Sequence, residues 1–223
     1  MPTSFNKNLF NELKKSFTNE SILGSLLFFL VLSSWYVLRP VRNEMAVANV
    51  SDLPYLLAAG ALVMLIINPI YSHIVTKTNL RKIVFYCYSF LIINLLGFLF
   101  TWKFLAVGES LWIGRIFYVW CNVYSFFVVS IFWVVIINLF RGDGATNVFG
   151  VIAAGGSIGA FIGSEISKQL AATFNESGII FFTLIAIFFL ISALITGLFL
   201  LNRLSFIEGI NEAPGGNSFD SFK

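Results

Sequence analysis

Charge is scarce in this chain. Of 223 residues only 11% are Asp, Glu, Lys or Arg, while 58% are apolar, and a soluble domain carries about 25% charged residues. So few charges cannot cover a water-facing surface, and the mean hydropathy of +0.87 points the same way. A soluble globular domain is thereby excluded. One histidine and two cysteines are present. His73 closes an apolar run near Lys77, Arg81 and Lys82, a place for a water-interface residue rather than a catalyst. Cys87 and Cys121 lie inside apolar runs without a CxxC or a histidine neighbour, so no disulfide, metal site or cofactor is expected. No HExxH and no pair of intramembrane acids occurs, which argues against an enzyme. The net charge of +3 is too small to suggest a nucleic-acid partner.

What the chain has in abundance is apolar runs near or above the ~20 residues that cross a hydrocarbon core. Six are legible: Ser21 to Val50, Leu53 to Ile74, Arg81 to Trp102, Ser110 to Phe140, Thr146 to Leu170 and Gly178 to Leu201. The expected fold is an all-α membrane protein, a six-transmembrane-helix bundle at residues 21–203 with the lipid bilayer as its solvent. Before it, residues 1–20 place Phe5, Leu9, Leu13 and Phe17 opposite Lys7, Lys14 and Lys15, the pattern of an amphipathic leader on a lipid surface. After it, residues 204–223 carry Pro214, Gly215 and Gly216 among polar residues and read as a flexible tail.

Orientation follows from the cations. With both termini cytoplasmic, Lys7, Lys14, Lys15, Lys77, Arg81, Lys82, Arg141, Arg203 and Lys223 lie inside. Arg39, Arg42, Lys103, Arg115 and Lys168 lie outside or within the membrane, and that excess satisfies the positive-inside rule.

Three stretches carry more than span-forming pattern. At the end of the first run, Arg39, Arg42 and Asn43 are spaced i, i+3 and i+4 and share a helix face. Glu44 stands about 140° from Arg39 and about 160° from Arg42, so it does not neutralise them on a straight helix. Pro40 is expected to end or kink that helix. In the fourth run Arg115, Tyr118, Asn122 and Ser125 fall on one side, with Trp133 further along it, a stripe that suits a wet cavity wall. In the fifth, Gly155, Gly159 and Gly163 form one side-chain-free stripe that another helix can approach closely. Elsewhere, Asn68-Pro69 is expected to kink the second helix, and Asn94 to bond a neighbouring helix. The sixth run reads as a lipid-facing support.

Together these stretches resemble a known group. Tyr36-x-Leu38-Arg39-Pro40-x-Arg42-Asn43-Glu44 is similar to the first-helix motif of bacterial permeases related to the ATP/ADP translocases, within the major facilitator superfamily. Phe149-Gly150-x-x-Ala153-Ala154-Gly155-Gly156-Ser157-x-Gly159 resembles the fifth-helix segment of the same group. Two departures stand out. Asn43 replaces the acid that usually follows the basic residue, and Lys77 to Lys82 keeps only the basic part of the superfamily's loop motif. The resemblance implies half of a major-facilitator-like fold and a transporter of the cell inner membrane. A second six-helix half, from another chain or a second copy, would complete the midplane site. It places Arg42 where the translocases contact substrate phosphate. The expected substrate site is Arg39, Arg42, Asn43, Arg115, Tyr118 and Asn122, taking a small anionic solute. The alternative is a non-transporting membrane subunit, or degenerate half-transporter, that binds a partner through the glycine stripe.

Overall fold

The computed structural model describes residues 18–47, 50–104, 111–140, 145–173 and 178–208. The leader at 1–17, the Arg141 to Gly144 turn and the tail from 209 lie outside them. Every long element is a helix: α1 (Asn19–Val47), α2 (Leu53–Lys77), α3 (Leu80–Phe104), α4 (Leu111–Leu139), α5 (Ala145–Thr173) and α6 (Gly178–Glu208). A short 3₁₀ turn, Val50–Asp52, precedes α2. All six helices are long and apolar enough to cross a membrane. The chain is a multi-pass membrane protein of the all-α class.

Local chemistry sets the start of α1. Thr18 and Ser21 form a reciprocal cap, with Ser21 N–H donating to Thr18 Oγ1 at 3.1 Å and Thr18 N–H to Ser21 Oγ at 2.9 Å. α1 then runs unbroken through Pro40 to Val47, so the proline does not end it. The reason lies across the helix boundary. Pro40 has no N–H to give the carbonyl four residues back, which belongs to Tyr36. The Ser167 hydroxyl of α5 lies 3.1 Å from that Tyr36 carbonyl, 3.3 Å from Val37 O and 2.9 Å from Gly163 O of its own helix, so its one proton is shared among the three. A hydroxyl from the neighbouring helix thus stands within reach of the freed carbonyl, the kind of partner that the lipid core calls for at a helix-interior proline. α2 likewise continues through Pro69.

The α1–α5 seam is the most extensive contact in the bundle. In lipid no hydrophobic effect drives helices together, so close packing and interhelical hydrogen bonds must do it. The two helices run parallel with a constant offset. Cβ atoms added to Gly155 and Gly159 would collide with Ser25 and with the Phe29 backbone, and one on Gly163 would sit 2.8 Å from Ser33 O. Ser25 donates to Val151 O and Ser33 to Gly159 O, both at 3.1 Å. The glycine stripe is therefore filled from within the chain, by α1.

α1 also packs against α6 and α4. Its Leu27, Val31, Val37 and Leu38 meet Phe117, Tyr124, Ile131 and Phe132 of α4 and Ala186, Leu190 and Ala193 of α6 in one buried core. Phe28 stacks on Phe132 at 4.2 Å. α6 is thus partly core, not simply a lipid-facing support, and it continues past Leu201 to Glu208. Asn94 also departs from expectation, donating to Phe90 O of its own helix at 2.7 Å instead of to a neighbour.

The pairing scheme has an internal symmetry. The main helix pairs are α1·α5, α1·α6, α1·α4, α2·α4, α3·α4, α3·α6, α5·α6 and α2·α3. Exchanging the first three helices with the last three maps this set onto itself. α1 and α4 occupy equivalent central positions, whereas α2 is peripheral, burying only Leu56 and Gly60.

Candidate functional site

The two central helices bring the charged groups of α1 against the polar stripe of α4. α1 and α4 run antiparallel, so Met45 meets Gly114, Arg42 meets Tyr118 and Asn122, and Ser34 meets Tyr124. Arg42 is half-buried at this crossing. Its Nη1 donates to Asn122 Oδ1 at 3.3 Å and its Nη2 to Asn43 Oδ1 at 3.1 Å. The guanidinium carbon lies 5.5 Å from the centroid of the Trp35 ring and 5.7 Å from that of Tyr118. Its Nε is buried without a hydrogen-bond partner. Two amides and two aromatic faces orient this cation, and neither kind of group neutralises it. Aromatic faces attract a guanidinium by about 0.5–2 kcal/mol each, which holds the charge in place and leaves it positive.

α2 contributes by yielding space. A Cβ on Gly60 would sit 3.0 Å from Asn122 Nδ2, so the bare glycine lets the amide lie between α2 and α4 and reach Arg42. Sequence inspection gave Gly60 no role, because one glycine in an apolar run carries no periodic signal.

The other expected members fall elsewhere. Arg39 is exposed and turns its guanidinium over Tyr36, 5.5 Å from the ring centroid. Arg115 lies one turn beyond Tyr118 toward the end where the α1–α2 connection closes. There it forms an ion pair with Asp52 and lies 4.7 Å from the centroid of the Trp112 ring. Asp52 is placed to cap α2, yet its side chain makes no cap bond and reaches across to Arg115 instead. Arg115 is therefore compensated inside the chain and does not converge on Arg42. Ser125 bonds only Asn122 O, and Trp133 packs among Phe28, Phe132 and Phe149. The fourth-helix stripe divides into an ion-pair end, an Arg42 contact and an aromatic core.

Below Arg42 one pair of hydroxyls is closed on itself. Ser34 and Tyr124 share a 2.5 Å hydroxyl contact, and Ser34 donates to Ala186 O at 2.9 Å. This joins α1, α4 and α6 one level below the half-buried Arg42. Among the described residues no cluster of three or more His, Cys, Asp or Glu could hold a metal.

The Asp52–Arg115 pair ties α4 to the turn before α2. Both side chains are partly exposed, at 31% and 24%, so the pair lies between the surface and buried regimes and should couple by about 1–2 kcal/mol. A double-mutant cycle with Asp52→Asn and Arg115→Gln, read by thermal unfolding in detergent, is expected to give that coupling. Additive effects would mean the pair contributes nothing.

No protein-family model, curated protein or solved structure matches this chain.

Proposed function

We propose that the chain is a six-helix half of a secondary transporter of the cell inner membrane, with both termini cytoplasmic. It moves a small anionic solute by alternating access, working with a second six-helix half. One observation carries the reading: Arg42 is a half-buried guanidinium held by amides and rings, with no carboxylate at its ion-pairing distance among the described residues. An arginine within apolar surroundings costs roughly 2.5–3.5 kcal/mol at a helix centre. Where Arg115 and Arg203 are offset by Asp52 and Glu20, Arg42 calls for an anion from outside the chain. Its fork of donors suits carboxylate or phosphate in bidentate geometry, and it stays charged at every physiological pH. Asn43, Tyr118 and Asn122 complete the contact.

The paired three-helix arrangement agrees with this reading, since secondary transporters are commonly built from such repeats with the site at their interface. The alternative, a subunit that binds a partner through Gly155, Gly159 and Gly163, is disfavoured because α1 already fills that stripe.

The test is a thermal-shift screen of the purified full chain against carboxylates and phosphates. At least one anion should raise the melting temperature of wild type and of Arg39→Gln, but not of Arg42→Gln. No stabilising anion, or one that stabilises Arg42→Gln equally, would overturn the assignment.

A further inference from the structure

The turn between α2 and α3 gathers three cations that no carboxylate answers among the described residues. Lys77 closes α2, Thr78 and Asn79 make the connection, and Arg81 and Lys82 fall in the first turn of α3. All three cations are exposed. They differ in this from Arg115, Lys168 and Arg203, each of which has an acidic partner. The first turn of α3 contains no acidic residue, so these like charges repel one another unopposed.

Beneath each cation lies exposed apolar surface. Residues four apart on a helix stack on one face, which puts Phe85 below Arg81 and Tyr86 below Lys82. On α2, Ile74 and Ile70 stand three and seven residues before Lys77 on a common face. These four are 48%, 63%, 45% and 56% exposed, respectively. The Phe85 and Tyr86 rings meet edge to face at 5.6 Å, a continuous aromatic surface. The patch thus presents three columns, each with a cation at the water boundary and apolar side chains leading into the membrane.

We propose that this patch binds an anionic phospholipid, its phosphate among Lys77, Arg81 and Lys82 and its acyl chains along Ile70, Ile74, Phe85 and Tyr86. Charge complementarity calls for the anion, and the apolar columns select an amphiphile over a free phosphate, which gains nothing from aromatic surface. A basic side chain near an anionic lipid surface contributes about fivefold in affinity, and three adjacent ones make a site out of a general attraction. The assignment is independent of Arg42.

The test is native mass spectrometry of the full chain in a neutral maltoside, offered equal amounts of phosphatidylglycerol and phosphatidylcholine with matched acyl chains. Wild type is expected to retain phosphatidylglycerol about tenfold over phosphatidylcholine. The triple variant Lys77→Gln/Arg81→Gln/Lys82→Gln should retain both alike. It should also melt no lower than wild type in phosphatidylcholine, because the three side chains have no ion-pair partner among the described residues to lose. Lys168→Gln, which removes an exposed cation elsewhere, should keep the preference. A triple variant that keeps the preference would overturn the proposal. So would equal loss in Lys168→Gln, which would mark net charge as the cause. Displacement of the lipid by inorganic phosphate at the same concentration would show a free-anion site instead.

Discussion

Arg42→Gln is expected to lose anion uptake to background while the folded protein becomes no less stable. The two effects have opposite signs for one reason. Charge-assisted hydrogen bonds contribute about 1.5–3 kcal/mol each, so removing the guanidinium should weaken anion binding by roughly tenfold to a hundredfold. The same change removes a half-buried charge that Asn43 and Asn122 orient but do not neutralise, and glutamine can still bond Asn122. The melting temperature in the absence of anion should therefore hold or rise. A purely structural arginine would behave otherwise: its loss would lower the melting temperature. Arg42→Lys separates charge from geometry, since lysine keeps the positive charge and loses the planar fork. It should fall between wild type and Arg42→Gln in uptake. Uptake by the proposed two-half assembly and melting of the isolated chain together check the prediction.

Gly159→Leu is expected to be the most destabilising single change in the bundle. A Cβ at this position would collide with the Phe29 carbonyl and Cα, which are backbone and cannot rotate away. α1 and α5 must then separate. Overpacking of this kind costs about 1–3 kcal/mol. The bonds from Ser33 to Gly159 O and from Ser167 to Tyr36 O stretch with it, at about 0.6 kcal/mol each. A total loss of roughly 2–4 kcal/mol, or failure to fold, should be seen by thermal or denaturant unfolding in detergent. Gly150→Leu is the control, because a Cβ there meets nothing within 4 Å. Equal effects at the two positions would show that the seam is not what holds α1.

How far these features could be read in advance depends on whether they are local. The six helices were legible because a bilayer fixes span length, and each run spells out its own length. The i, i+4 stripe of Gly155, Gly159 and Gly163 was legible for the same reason, as one helix face. Its occupant was not, because pairing depends on complementary shape between α1 and α5, over 120 residues apart. The contact between Arg42 and Asn122 was half-legible: each residue stood out in its own run, but their meeting depends on the antiparallel crossing of α1 and α4. Asp52 was invisible as a partner for Arg115, since beside Pro54 it looks like an ordinary start to α2. Of the two outcomes expected at Pro40, an end or a kink, the end does not occur, and the hydroxyl near the freed carbonyl, Ser167, could not be foreseen because it belongs to another helix.

These pairings leave Arg42, on the α1–α4 crossing, as a half-buried guanidinium with no carboxylate partner among the described residues. Isothermal titration tests most directly whether Arg42 takes an anion. The anion that best stabilises wild type is titrated into wild-type, Arg39→Gln and Arg42→Gln protein in the same detergent. Saturable binding to wild type and Arg39→Gln is expected, with affinity at least about tenfold weaker in Arg42→Gln. An unchanged affinity in Arg42→Gln would contradict the assignment.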